Sequence, residues 1–168
     1  MINFDFSIKY INSFLLNICK ILVTFSIFSI VIVVLVGVFF RYILNDSLSW
    51  TEEVVRFLVV FLTFLGSPLA LSDNNHAALD NWIYKLSIKY KIFMLLIINI
   101  LIILFCLILI KLGIDYSLNA FIQKAPTLQI SMFYIFISIP IGGTCMLLLT
   151  IEKIIDMIDE PNNQLNNQ

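Results

Sequence analysis

The sequence predicts an all-α integral membrane protein with four spanning helices, and three observations carry that reading. Hydrophobic residues fill 61% of the 168 positions and charged residues only 12%, and the mean hydropathy is +1.02, more apolar surface than a soluble domain can cover. The apolar residues gather into four blocks, at roughly 22–44, 53–72, 92–113 and 130–151, each long enough at 1.5 Å rise to cross a hydrocarbon core of about 30 Å. Backbone donors inside lipid need internal partners, so blocks of this kind are helices rather than open strands. The chain reads as one membrane domain.

Before the first span, Asp5, Lys9 and Asn12 fall on one helical face and Phe4, Ile8, Ile11 and Leu15 largely on the other. This predicts an amphipathic interfacial helix leading into the membrane. The first block is too long for a cleaved signal and runs into Phe39, Phe40 and Arg41 instead of a small-residue cleavage site. Along it, Ser26, Ser29, Val33, Gly37 and Arg41 form a stripe of small and polar residues, the composition of a protein-facing side.

The second span opens on Ser49-Trp50-Thr51-Glu52, which has capping-box spacing. Glu52 and Glu53 lie in its first turn, where the helix dipole favours negative charge, and Glu52 stands four residues before Arg56, in the favourable order for an ion pair. Glu52, Arg56, Thr63, Gly66, Ser67 and Ala70 share one face. The turn joining the first two spans is short, so their stripes are expected to face each other, with Arg41 pairing to Glu52 or Glu53. Pro68 is expected to kink the end of this span. His76 follows it and is the single histidine, so this chain alone cannot supply bis-histidine haem ligation.

In the second connection Leu79, Trp82, Ile83, Leu86 and Tyr90 recur at helical spacing, with Asp80, Asn81, Lys85 and Lys89 turned away. The pattern predicts a helix over 77–89 lying on the membrane surface, anchored in lipid by Trp82 with Lys85 and Lys89 at the headgroups. On the third span Asn99, Cys106 and Gly113 repeat every seven residues, as one packing seam. The third connection, 114–129, breaks at Ala125-Pro126-Thr127. Pro140 with Gly142-Gly143 loosens the last span, and the polar stretch 160–168 is expected to be a disordered tail.

Charge placement orients the bundle. Lys9 and Lys20 precede the first span and Lys85, Lys89 and Lys91 fill the second connection, so both termini and that connection are expected on the cytoplasmic side. No basic run suggests nucleic acid. Cys19, Cys106 and Cys145 have no CxxC spacing and lie in or beside apolar blocks, which makes them packing residues. Proton and ion paths need ionisable groups deep in a span, and the four blocks carry none at mid-depth. The charges at 41–56 therefore read as architecture, a capped and internally paired hairpin at the membrane boundary.

The run RYILNDSLSWTEEVVRFLVVFLTFLGSPLALSDNNHAALD resembles the small membrane subunit, called DctQ or Q-type, of tripartite ATP-independent periplasmic (TRAP) transporters. That pattern has Arg-Tyr closing the first span, Ser-x-Trp-Thr-Glu-Glu opening the second, an Arg three residues later, a Phe-x-Gly and then a His. Arg41, Tyr42, Trp50, Glu52, Glu53, Arg56, Phe64, Gly66 and His76 fill those places, whereas Ser67-Pro68 is less typical of the positions after the Gly. APTLQISMFYIFISIPIGG is similar to the family's final segment.

The resemblance implies a non-catalytic scaffold subunit in a bacterial inner membrane. Its partners would be a large membrane subunit and a periplasmic substrate-binding protein, in a Na⁺-coupled symport of carboxylate-bearing solutes such as C4-dicarboxylates or sialic acids. Na⁺ is expected in the large subunit and no cofactor in this chain. A membrane anchor of a redox complex and an autonomous four-helix exporter are the readings from other classes.

Overall fold

A computed structural model describes the backbone of residues 2–72 and 88–165 and the side chains of 9–72 and 93–156. Four long helices carry it: α1 (Ile2–Ile43), α2 (Ser49–Ser72), α3 (Ile88–Asn119) and, after the single turn α4 (Phe133–Phe136), α5 (Ser138–Leu165). Each contains a stretch long and apolar enough to cross a membrane. α1 packs on α2, α2 on α5 and α5 on α3, with a thinner α1–α5 contact. The bundle is thus a row with α2 and α5 in the middle.

The amphipathic N-terminal stretch is not a separate interfacial helix. It runs unbroken into the first span, giving 42 helical residues, about 63 Å of helix against a hydrocarbon core of about 30 Å. No proline or glycine precedes Gly37 to interrupt it. Its polar side meets α5 instead of water alone: Lys9 Nζ lies 2.7 Å from Asp156 Oδ1, and Asn12, 2% exposed, donates to the Leu148 carbonyl and to Glu152. At the same end the Lys153 ammonium donates to the Leu71 carbonyl at 2.6 Å, satisfying one of the orphan acceptors at the end of α2.

The middle of the bundle is held by small residues and crossings. Cys19, Leu65 and Cys145 form a buried cluster joined by Phe61, Leu69, Leu15 and Val23, and all three cysteines are free and buried, as packing residues should be. The seam on α3 is present: Asn99, Cys106 and Gly113 are buried, and Ser117 and Ala120 extend it. Gly142 and Gly143 lie where α5 crosses its neighbours. A Cβ on Gly142 would sit 2.2 Å from the Phe64 carbonyl oxygen, and one on Gly143 3.1 Å from Ile110.

α2 runs on unbroken through Pro68 to Ser72, whereas the last span is interrupted ahead of Pro140. Pro68 lies inside α2 and is fully buried; it lacks the N–H that would bond the Phe64 carbonyl, which accepts from the Ser67 hydroxyl at 3.1 Å instead. Pro140 likewise offers no N–H to Phe136, and the helix is interrupted at Ile137 between α4 and α5. α3 extends to Asn119, beyond the expected end of the third span. α5 continues as helix to Leu165, so its backbone takes in most of the stretch expected to be a disordered tail. Extending a helix already formed is far cheaper than nucleating one.

Candidate interaction site at the hairpin rim

α1 ends at Ile43 because Asn45 takes left-handed backbone, φ 52°, which asparagine tolerates better than most residues. The Asp46 N–H returns to the Phe40 carbonyl at 3.2 Å, and the short connection 44–48 leads into α2. Ser49 is the first helical residue of α2, so Leu48 occupies the cap and the expected Ser49–Glu52 capping box does not form. Thr51 closes the turn in its place: its hydroxyl and its N–H both donate to the Leu48 carbonyl, at 2.7 and 3.2 Å.

The two acidic residues of the rim divide their work. Glu52 pairs with Arg41 and not with the expected partner four residues on. Among the described residues Arg56 makes no ion pair, and it is exposed. Glu53 does not turn to Arg41. Its Oε2 accepts the N–H groups of Thr127 and Leu128 at 3.0 and 3.1 Å, tying α2 to the connection between the third and fourth spans, while Oε1 is buried with no hydrogen-bond partner.

The segment so held is itself ordered by backbone bonds. Ala125 N–H donates to Ile130 and Met132 N–H to Gln123, at 2.8 and 2.9 Å, closing a small loop in which Gln129 has φ 57°. Pro126 presents its successors' N–H groups side by side to the carboxylate. The result is one continuous rim made from the first and third connections.

Of the two small-residue stripes, the α1 stripe meets its neighbour as expected: Ser26 is buried, and a Cβ on Gly37 would sit 2.9 Å from the Thr51 hydroxyl oxygen. Beyond Glu52, which pairs with Arg41, the α2 stripe does not face α1. Thr63 and Ala70 are exposed and a Cβ on Gly66 would meet nothing, because the bulkier Leu65 and Pro68 take the buried side. Trp50 is 37% exposed at the rim. His76, Trp82 and Lys85, with the expected surface helix over 77–89, lie outside the described residues, except that Ile88 and Lys89 belong to the first turn of α3.

Thr51, Thr127, Leu128, Asn12 and Lys153 were not among the residues singled out from spacing as site members. The tie to Thr127 and Leu128 uses main-chain groups, which leave no mark in residue type. Between α1 and α2 lies a recess of about 350 Å³ bounded by Val33, Val38, Val55, Gly37, Arg41 and Glu52. Its charged pair is mutually satisfied, and Tyr42 and Thr51 also line it, so the recess offers polar groups for binding and bracing. No three His, Cys, Asp or Glu side chains among the described residues could hold a metal ion.

Residues 30–160, which include the whole rim, match the model of the family described as tripartite ATP-independent periplasmic transporters, DctQ component. The chain belongs to the DctQ family. Over 119 residues it is 29% identical to the sialic acid TRAP transporter small permease protein SiaQ of Vibrio cholerae serotype O1, covering 70% of this chain and 68% of that protein. Over 55 residues, 33% of this chain and 34% of the relative, it is 40% identical to a Haemophilus influenzae protein assigned by name to the TRAP transporter small permease proteins. As a DctQ component it is a small permease subunit of a multi-pass membrane transporter, and not an enzyme.

The Arg41–Glu52 pair is testable by itself. Both side chains are more than half exposed, so a double-mutant cycle with Arg41→Ala and Glu52→Ala should return a coupling of about 0.2–1 kcal/mol in thermal unfolding of the detergent-solubilised chain. Additive single effects would show that the pair is not formed.

Proposed function

We propose that this DctQ chain is the fixed, non-catalytic scaffold of a Na⁺-coupled importer of carboxylate-bearing solutes, of the sialic acid or C4-dicarboxylate type. It works beside a large membrane subunit, which holds the Na⁺ and substrate sites, and a periplasmic binding protein. The similarity to a sialic acid small permease protein supports the solute class.

The observation that carries the scaffold role is the way the rim charges are used. Arg41, Glu52 and Glu53 are tied into intramolecular contacts that join both outward connections, and charged groups that brace a rim are not free to carry a solute. In the proposed orientation the rim faces the periplasm of an inner-membrane protein with both termini cytoplasmic. It would then form part of the surface on which the binding protein lands.

The test is uptake of radiolabelled sialic acid and of a C4-dicarboxylate into liposomes under an inward Na⁺ gradient. Transport is expected only when this chain, the large subunit and the binding protein are all present. Equal uptake without this chain would sink the scaffold role, and uptake unaffected by removing Na⁺ would sink the coupling.

A further inference from the structure

The recess of about 350 Å³ between α1 and α2 is graded along the helices. Its inner walls are the apolar Val33, Val34, Val38 and Val55, and its mouth is Arg41, Tyr42 and Glu52. Eight residues, about 12 Å of helix, separate Val33 from Arg41, so one end lies within the hydrocarbon and the other at its boundary. Gly37 and Thr51 form the floor, where a Cβ on the glycine would stand 2.9 Å from the threonine hydroxyl oxygen. The recess opens sideways to lipid, because Val34 and Val38 are 42% and 48% exposed.

The charged mouth is paired without being saturated. Arg41 and Glu52 meet through one contact, Nη2 to Oε1, and both side chains are more than half exposed. The rest of the guanidinium fork and Glu52 Oε2 have no other partner among the described residues. Side by side they offer a planar donor suited to a phosphate and a carboxylate acceptor suited to an ammonium group. With apolar walls running inward from that pair, the fitting occupant has a zwitterionic head and a hydrocarbon tail. A soluble carboxylate would use Arg41 alone and leave the walls bare.

We propose that this recess binds one phospholipid with a primary-amine headgroup, its phosphate on Arg41, its ammonium on Glu52 Oε2 and part of one acyl chain along Val33, Val34 and Val38. An ammonium brings three N–H donors, whereas a trimethylated choline brings none and an anionic glycerol headgroup sets negative charge against Glu52. Headgroup choice is thus decided at Glu52, and affinity at Arg41 and the walls. The site uses residues of this chain alone, so it stands or falls apart from the scaffold role.

The experiment is native mass spectrometry of the delipidated full chain, titrated with phospholipids of identical acyl chains bearing ethanolamine, choline or glycerol headgroups. The ethanolamine lipid should bind about fivefold or more tighter than the other two, for one additional charge-assisted hydrogen bond. Glu52→Gln should remove most of the preference over choline while a lipid still binds, and Arg41→Gln should weaken all three. Val38→Trp should exclude the lipid by filling the recess, whereas Lys111→Ala, which removes an exposed cation outside it, should change nothing. Val38 is half-exposed, so a tryptophan there need not enter the core, and circular dichroism checks that each variant keeps its helices. Equal affinity for the three headgroups, an unchanged preference in Glu52→Gln, or full binding in Val38→Trp would overturn the assignment. A chain dimer that Val38→Trp dissociates and added lipid does not would give the recess to a second copy, and so overturn the choice of occupant.

Discussion

Gly142→Ala is expected to be the most damaging of the five Gly→Ala substitutions open to this protein. The new Cβ would lie 2.2 Å from the Phe64 carbonyl oxygen and 2.9 Å from its carbon, and main-chain atoms cannot rotate aside as a side chain can. Relieving the clash means separating α2 from α5, the two central members of the row. Overpacking of a tight core costs about 1–3 kcal/mol and occasionally more, and a backbone obstacle places this variant at about 3 kcal/mol or above. Thermal unfolding of the detergent-solubilised chain should show it, together with reduced accumulation in membranes. Gly66→Ala is the matched control on the outward face of α2. Its Cβ meets nothing, so stability should be unchanged or raised by up to about 1 kcal/mol from the reduced backbone entropy of the unfolded chain. Similar losses for the two variants would mean that α2 and α5 do not cross at Gly142.

Glu53→Ala should release the loop over 120–132 from α2. Two N–H groups lose a carboxylate acceptor, and a hydrogen bond to a charged group contributes about 1.5–3 kcal/mol. The Thr127 bond is exposed to solvent and the Leu128 bond only partly buried, which sets the expected loss for the pair at about 2 kcal/mol. Glu53→Gln retains an oxygen acceptor without the charge and should fall between wild type and alanine. The measurement is hydrogen exchange at Thr127 and Leu128: both amides should exchange faster in Glu53→Ala, with those deep in α3 unaffected. Protection equal to wild type in both variants would show that the loop is held by its own backbone bonds alone.

These two predictions fall on residues that the sequence treats very differently. Gly142 is visible only as half of a Gly-Gly pair of the kind that loosens a helix; its use is the opposite, to let two helices touch. No sequence pattern says which carbonyl will approach which glycine, because that depends on the angle at which α2 and α5 cross. Glu53 is conspicuous in sequence, yet its partners are main-chain N–H groups some 74 and 75 residues away. Adjacent glutamates one residue apart point about 100° from each other on a helix, so they cannot both turn to Arg41. Local spacing names the candidates and leaves the choice between them open.

The stripe on α2 gives the same lesson from the other direction. Periodicity identifies a face of small and polar residues, and that face exists. Whether it turns toward α1 or away from the chain depends on the packing of the opposite side, where the bulky Leu65, Phe61 and Leu69 pack against Cys19 and Cys145. The seam of Asn99, Cys106 and Gly113 is simpler. The rest of α3's spanning part is bulky, and the small side meets α5, with Gly113 against Ile139 and Pro140.

What the sequence by itself determined is the set of quantities that depend on single segments. These are four spans from block length, the short turn between the first two, the helix interruption ahead of Pro140, the packing role of the cysteines and the family motif along 41–76. What only the tertiary structure decided is the pairing between segments: Glu52 with Arg41, Glu53 with Thr127 and Leu128, Gly142 with Phe64, and the outward turn of the Thr63–Gly66 face. Segment properties come from composition and helical period, which are local in the chain. Pairings come from how four helices share one core, and that competition is settled by all of them at once.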